Sequence, residues 1–283
     1  MSRAPAALVD GRPARAVAAD DRGLAYGDGL FETIRFVSGV APLWAGHMAR
    51  LARGARRLGL SMPDPGVWAA EAARVAGGRD CLVKLLLTRG GGRGYAAAAA
   101  TGPRRIVLCL PLPALDVAAC RHGLRLRWCR LRLARQPALA GLKHLNRLEQ
   151  VLARSEWRDP RIHEGLCMDT DGHVVCATAA NLFIVRDGVL ATPALDQCGV
   201  AGVARAFLLA QARRRWPVEV TVLRPADLQA ADEVFVCNAV RGVMPVRALA
   251  GWRWRPGPVT AALGYTLAAR GIGLPPTLPR RDR

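Results

Sequence analysis

Apolar residues in this chain come in strand-length runs of roughly four to eight, such as CLVKLLL, RIVLCL, NLFIV and EVFVC, each closed by Gly, Asp, Arg or Pro. A membrane-spanning helix needs ~20 consecutive apolar residues. Although 51% of the sequence is hydrophobic, Arg, Gly or Pro interrupts every candidate for one. Between the runs lie segments with helical periodicity, so the pattern predicts a mixed α/β (α+β) protein. Its 283 residues exceed the ~150 typical of one domain. Two lobes are expected, residues 1–120 and a larger one over 121–283, with a site in the cleft between them.

The pattern places paired strands over Phe31–Val37 and Val40–Trp44 across a Ser38-Gly39 turn, then an amphipathic helix through HMARLARGARRLGL with Met48, Leu51 and Leu58 on one face. A second helix follows at VWAAEAARVA. CLVKLLLTRG and RRIVLCLPLP read as buried strands joined by GGGRGYAAAAATGP, and GLRLRWCRLRL as a strand with one buried and one basic face. The second lobe is expected to open with a helix from about His144 to Trp157, packed through Leu145, Leu148, Val151 and Leu152. A strand meander at EGLCMDTDGHVVCATAANLFIVRDGVLATP comes next. Then come a helix over Gly202–Trp216, strands VEVTVL, DEVFVCN and VMPVRAL around a short helix PADLQAA, and a last helix PVTAALGYTLAARG. The tail after about residue 273 is expected to be disordered.

Eight cysteines are scattered without a C-x-x-C pair or a close Cys/His group, which argues for reduced thiols and against structural zinc. The N-terminus lacks the apolar stretch of a secretory signal, so a cytoplasmic protein is expected. The formal charge of +19 is spread along the chain, with no basic tail or single stripe. It suits a small anionic substrate, and nucleic-acid binding is the weaker reading. Of 41 basic residues only Lys84 and Lys143 are lysines. Arginine stays protonated and cannot form an imine, whereas lysine can lose its proton and attack a carbonyl. Lys84 reads as a strand-edge charge; Lys143, after a loop, is the retained lysine without so ready an explanation.

Six ordered segments carry a resemblance. YGDGLFET (Tyr26–Thr33), HMARL (His47–Leu51), GLKHLNRLEQVLAR (Gly141–Arg154), ATAANLF (Ala177–Phe183), LDQCGVAGVAR (Leu195–Arg205) and ADEVFVCNAV (Ala231–Val240) together resemble class IV aminotransferase-type enzymes. These are pyridoxal-5'-phosphate (PLP) enzymes of fold type IV, and within them the likeness is greatest to the aminodeoxychorismate lyases. The resemblance implies a two-lobed D-amino acid aminotransferase-like fold and a homodimer. It also implies a PLP-dependent release of pyruvate from aminodeoxychorismate to form p-aminobenzoate, a step of folate biosynthesis. Lys143 would form the Schiff base with PLP and act as base. Arg50 would hold the phosphate with the backbone amides of Val200 and Ala201, and Thr178 and Asn238 would lie near the cofactor. Thr33 would assist proton transfer to the leaving group. Tyr26, Arg93 and Tyr95 would bind substrate, the last two from the GGGRGY loop, which lacks the ending of a nucleotide P-loop.

One position departs from the family pattern. Where the family has a glutamate paired with the pyridine nitrogen, this chain has Cys176. A thiol, with an ordinary pKa of about 8.5, is a poorer partner for a pyridinium. Three readings stand: a Cys176 thiolate, a neighbouring acid such as Glu164 or Asp169, or weakened catalysis. The alternatives to the lyase are a D-amino acid or branched-chain aminotransferase on the same scaffold, and a non-catalytic or nucleic-acid-binding homologue.

Overall fold

The computed structural model describes residues 6–96 and 102–277. Residues 97–101 of the long loop and 278–283 of the tail lie outside the described residues. The chain divides into two compact units, Met1–Pro113 with Leu142–Arg147, and Ala114–Gly141 with Leu148–Arg283. The division falls a few residues before the expected 120. The lysine segment belongs to the first unit and not to the second lobe, because its backbone pairs with a strand there.

The first unit contains β1 (Ala7–Val9), β2 (Arg12–Pro13), α1 (Arg22–Tyr26), β3 (Gly29–Phe36), α2 (Trp44–Leu58), α3 (Pro65–Ala76), β4 (Cys81–Thr88) and β5 (Arg104–Leu110). The strands form one sheet in the order β2-β1-β5-β4-β3, antiparallel throughout. Period-two alternation in β3 sends Leu30, Glu32, Ile34 and Phe36 into the core and leaves Phe31, Thr33 and Arg35 half-buried on the other face. Met48 and Leu51 of α2 and Trp68, Ala72 and Val75 of α3 pack with Leu30, Ile34, Val83 and Leu85. Asp64 caps α3 by accepting a hydrogen bond from Gly66 N–H, and α2 ends on the left-handed Gly59. The strand expected over Val40–Trp44 shrinks to a bridge between Val37 and Val40 around the Ser38-Gly39 turn. Pro42 has no N–H to offer a ladder, and α2 begins at Trp44.

The second unit runs α4 (Val117–His122), β6 (Leu124–Leu133), α5 (Leu148–Arg154), β7 (Glu164–Asp169), β8 (Val174–Ala177), β9 (Asn181–Arg186), β10 (Val189–Pro193), α6 (Val203–Ala212), β11 (Val218–Thr221), α7 (Pro225–Gln229), β12 (Glu233–Asn238), β13 (Gly242–Leu249), β14 (Trp252–Arg253) and α8 (Pro258–Ala268). Its sheet follows the order β11-β10-β9-β12-β13-β6-β7-β8, with β14 on β13. A further pairing of Cys176 with Asn181 joins β8 to β9 and closes six strands into a ring. The core holds Leu166, Leu182, Ile184, Val234, Val236 and Val246.

Two expectations are corrected here. The helix predicted from His144 to Trp157 forms only over Leu148–Arg154, since residues before it act as a strand partner. Its expected packed face is turned outward, with Leu148, Val151 and Leu152 exposed at 74%, 56% and 58%, while Ala153 is buried. The tail residues 274–277 are not loose. Pro276 is buried against Gly264 of α8, where a side chain would leave no room, and Thr277 N–H donates to the Arg121 carbonyl.

Phe183 and Phe235 face each other across β9 and β12, stacked at 4.9 Å and fully buried. Phe183→Ala is expected to lower the stability of the second unit by about 3–5 kcal/mol, read from the urea midpoint.

Candidate active site

Lys143 is placed by backbone pairing. Phe31 N–H donates to the Lys143 carbonyl and Leu145 N–H to the Gly29 carbonyl, each at 2.9 Å, with Leu30 and His144 forming an antiparallel bridge. Two glycines permit the approach. A Cβ on Gly29 would lie 2.8 Å from the Leu145 side chain, and one on Gly27, which is left-handed at φ 66°, would lie 2.5 Å from Asn146 Oδ1. Asn146 Nδ2 in turn donates to the Gly27 carbonyl at 3.1 Å. The YGDG and KHLN segments, more than a hundred residues apart, are thus shaped to fit each other.

The Lys143 amine lies 4.1 Å from the centroid of the Phe31 ring. Burial around it, then the positive charges of Arg50, Arg147 and Lys84, push its pKa down to about 7, against the opposing pull of Glu32. At neutral pH a large fraction is therefore the neutral amine, the form that attacks a carbonyl. Arg147 bonds to Nε2 of His144, and burial followed by that guanidinium lowers the imidazole to about 4, so His144 is neutral.

On the core side of β3, Glu32 accepts from Arg50 Nε at 2.7 Å, pairs with Arg50 Nη2, and bonds His47 Nδ1 at 2.7 Å. Burial pushes the Glu32 carboxyl up, but Arg50 and then His47 outweigh it and hold it below the ordinary range. The guanidinium foreseen as a phosphate ligand is thereby oriented by a buried carboxylate. The spacing of His47 and Arg50, three apart on one helix face, and a carboxylate at an inward strand position were the sequence signals for this triad.

Tyr26 and the GGGRGY loop are brought together. Gly94 N–H donates to the Tyr26 hydroxyl at 3.0 Å, and the Tyr26 and Tyr95 rings lie 5.7 Å apart. Arg22, missed from sequence, pins the loop through the Gly94 carbonyl at 2.6 Å while pairing with Asp28 at 2.9 Å. Arg93 and Tyr95 are exposed. Thr33 and Lys84 are cross-strand partners on the half-buried face of the sheet. Lys84 is not at a strand edge, because β4 is flanked by β3 and β5.

In the second unit, Cys176 is buried, opposite Cys167 on β7 and Asn181 on β9. Just past β8, the Thr178 hydroxyl donates to Glu164 Oε1, which also accepts from Gly165 N–H at 3.0 Å. Burial raises the Glu164 carboxyl, partly offset by these two donors. Asp169, at the other end of β7, accepts from Asp171 and His173 N–H at 3.0 and 2.8 Å and caps the turn. Of the two acids considered, Glu164 is the one beside Thr178.

Asn181 Nδ2 donates to the Val200 carbonyl at 2.9 Å, and Gly141 N–H to the Gly199 carbonyl at 2.9 Å. The Ala201 amide already donates to the Gly141 carbonyl at 3.1 Å, so one of the two amides assigned to phosphate has a partner within the fold. Asn238 donates to the Ala179 carbonyl at 3.1 Å and accepts from Val240 and Arg241 N–H at 3.0 and 2.7 Å. It shapes the β12–β13 turn and anchors the backbone next to Thr178.

The family model for amino-transferase class IV matches residues 29–249. Aminodeoxychorismate lyase of Vibrio harveyi is 37% identical over 243 residues, 84% of this chain and 89% of the relative. Among solved structures, 4-amino-4-deoxychorismate lyase from Pseudomonas aeruginosa superposes with a TM-score of 0.89 at 48% identity, covering 93% of this chain and 98% of that one. The branched-chain amino acid aminotransferase of Escherichia coli follows the same path with a TM-score of 0.83 at 25% identity, covering 99% and 98%. The chain therefore belongs to the class IV aminotransferase family, a PLP-dependent family, and has its fold type IV architecture.

Proposed function

We propose that this protein is a PLP-dependent carbon-oxygen lyase that converts 4-amino-4-deoxychorismate to p-aminobenzoate and pyruvate. The observation that carries the reading is the Lys143 amine, brought to about 7 and fixed by β3, in a chain similar over most of its length to lyases of that name. The residues present fit the cofactor. Lys143 supplies an amine able to condense with its aldehyde, Arg50 a cation for its phosphate, and Val200 a backbone amide.

When bound, PLP supplies an electron sink at the substrate carbon that bears nitrogen. The Lys143 amine removes the proton from that carbon, acting as general base near its own pKa. The enolpyruvyl C–O bond then breaks as the ring becomes aromatic. The electron pair of that bond leaves on oxygen, and the departing enolate takes up a proton at its methylene carbon to become pyruvate, with the Thr33 hydroxyl assisting. Tyr26, Arg93 and Tyr95 meet the substrate, and the basic balance of the chain favours its two carboxylates. Glu164, held beside Thr178, takes the electrostatic role that the family pattern gives to the Cys176 position. Two copies form a homodimer, supported by the outward apolar face of Leu148, Val151 and Leu152. The eight cysteines, none of them in a disulfide, favour a reducing, cytoplasmic setting, and no described helix is long and apolar enough to cross a membrane.

Purified protein with PLP is expected to form p-aminobenzoate and pyruvate in equal amounts. Lys143→Ala should lower turnover by about 10²–10⁴-fold, and borohydride reduction should leave a phosphopyridoxyl group on the Lys143 peptide. Conversion to the pyridoxamine form on adding an amino acid, without p-aminobenzoate formation, would instead establish an aminotransferase.

Glu164→Gln is expected to lower turnover by about tenfold or more, from the loss of a charge partner worth at least ~1.4 kcal/mol. Adding Cys176→Glu should restore it. Failure of the second carboxylate to rescue would remove Glu164 from this role.

The Lys143 amine also sets a pH dependence. From about pH 7 to about 10.5 the unfolded chain holds a proton that the folded one has lost, so cofactor-free protein gains stability as pH rises through that window. Below it both states are protonated and this slope vanishes. Lys143→Met is expected to abolish the rise, measured by urea unfolding across the window.

A further inference from the structure

The only two lysines of the chain meet at one aromatic ring. Nζ of Lys143 lies 4.1 Å and Nζ of Lys84 5.1 Å from the centroid of Phe31. The two nitrogens are therefore no more than about 9 Å apart, the sum of those distances. The β3–β4 register accounts for the meeting. Thr33 pairs with Lys84 and Phe31 with Leu86, so these four side chains share the half-buried face of the sheet, while Glu32 and Leu85 point to the opposite one. Lys143 reaches the same ring from the segment bound to the outer side of β3.

The charged groups that act on the Lys143 amine are Arg50 from α2, Glu32 from the opposite face of β3, Arg147 from its own segment and Lys84 from β4. Two of them are balanced by close partners. Glu32 is held by Arg50 and His47, and Arg50 has Glu32 in return. Arg147 is bonded to the imidazole of His144. Lys84 has no ion pair among the described residues, and its contact is the Phe31 ring. One ring face attracts a cation, but two cations at this distance repel.

We propose that Lys84 is a positioning residue for Lys143, its charge acting across Phe31 to keep the Lys143 amine in the neutral, nucleophilic form. Arg50 and Arg147 act in the same direction, so Lys84 supplies part of the effect. Two unit charges about 9 Å apart at a partly solvated face correspond to about half to one pH unit, a three- to tenfold change in proton affinity. The inference rests on Lys143 being the reactive amine, yet it is read from the amine itself.

The test uses the cofactor-free full chain labelled with ¹³C,¹⁵N-lysine, which gives two side-chain signals, assigned with Lys143→Arg. Following the Nζ and Cε shifts with pH should give a Lys143 midpoint near 7 in the parent protein. In Lys84→Met the midpoint should rise by about half to one unit, and in Lys84→Arg, which keeps the charge, it should stay at the parent value. Lys84→Gln serves if the methionine variant does not fold. An unchanged midpoint in the neutral variant, or an equal rise in Lys84→Arg, overturns the proposal. Loss of p-aminobenzoate formation with the titration intact would count against the proposed reaction and not against this inference.

Discussion

Two backbone hydrogen bonds, from Phe31 N–H to the Lys143 carbonyl and from Leu145 N–H to the Gly29 carbonyl, decide where the Lys143 amine sits. A strand partner holds a Cα more firmly than a loop does, because both flanking peptide groups are tied to a sheet that is itself packed. The glycines of the YGDG segment leave room for this, since a Cβ at Gly27 would meet Asn146 and one at Gly29 would meet the Leu87 carbonyl of β4 and then Leu145. β3 then does two things at once. Its half-buried face offers Phe31 to the amine, and its core face fixes Glu32, on which Arg50 and His47 converge. Breaking such a buried pair by removing one member costs about 3–5 kcal/mol, so the Arg50 geometry is part of the stability of the first unit.

The second unit uses a comparable economy of backbone. The pairing of Cys176 with Asn181 closes the strand ring, and Asn181 continues outward to hold the Val200 carbonyl. Asn238 fixes Ala179, and Thr178 next to it reaches the buried Glu164. A thiol at the family's glutamate position therefore does not leave this region without a carboxylate. Glu164 stands on the neighbouring strand with its carboxyl raised by burial and steadied by a hydroxyl and an amide.

Much of the fold was legible in the residues. Alternation in GLFETIRF and GLRLRWCRLRL and the apolar runs CLVKLLL and NLFIVR are strands, and HMARLARGARRL is a helix, because these periods match the pleat and the turn of the helix. The helix predicted from His144 failed for a physical reason. Its apolar spacing satisfied the helical period, but residues 143–145 found hydrogen-bond partners on β3, and the spacing of Leu148, Val151 and Leu152 served an outward face. Periodicity reports that side chains share a face and says nothing about which way the face looks. Lys84 was misjudged similarly, since a half-polar strand pattern does not reveal whether a strand lies at the edge or inside its sheet.

By itself the sequence determined the family and the fold class and singled out Lys143 as the candidate amine, because ordered motifs and a chain nearly stripped of lysine carry that information without coordinates. Only the tertiary structure decided that Lys143 belongs with the first unit, that Glu32 orients Arg50, that Glu164 stands beside Thr178 and that Lys84 shares the Phe31 ring. Each of those is an encounter between residues distant along the chain. Strand register and burial settle such encounters, and both depend on the whole packed sheet and not on any local stretch of residues.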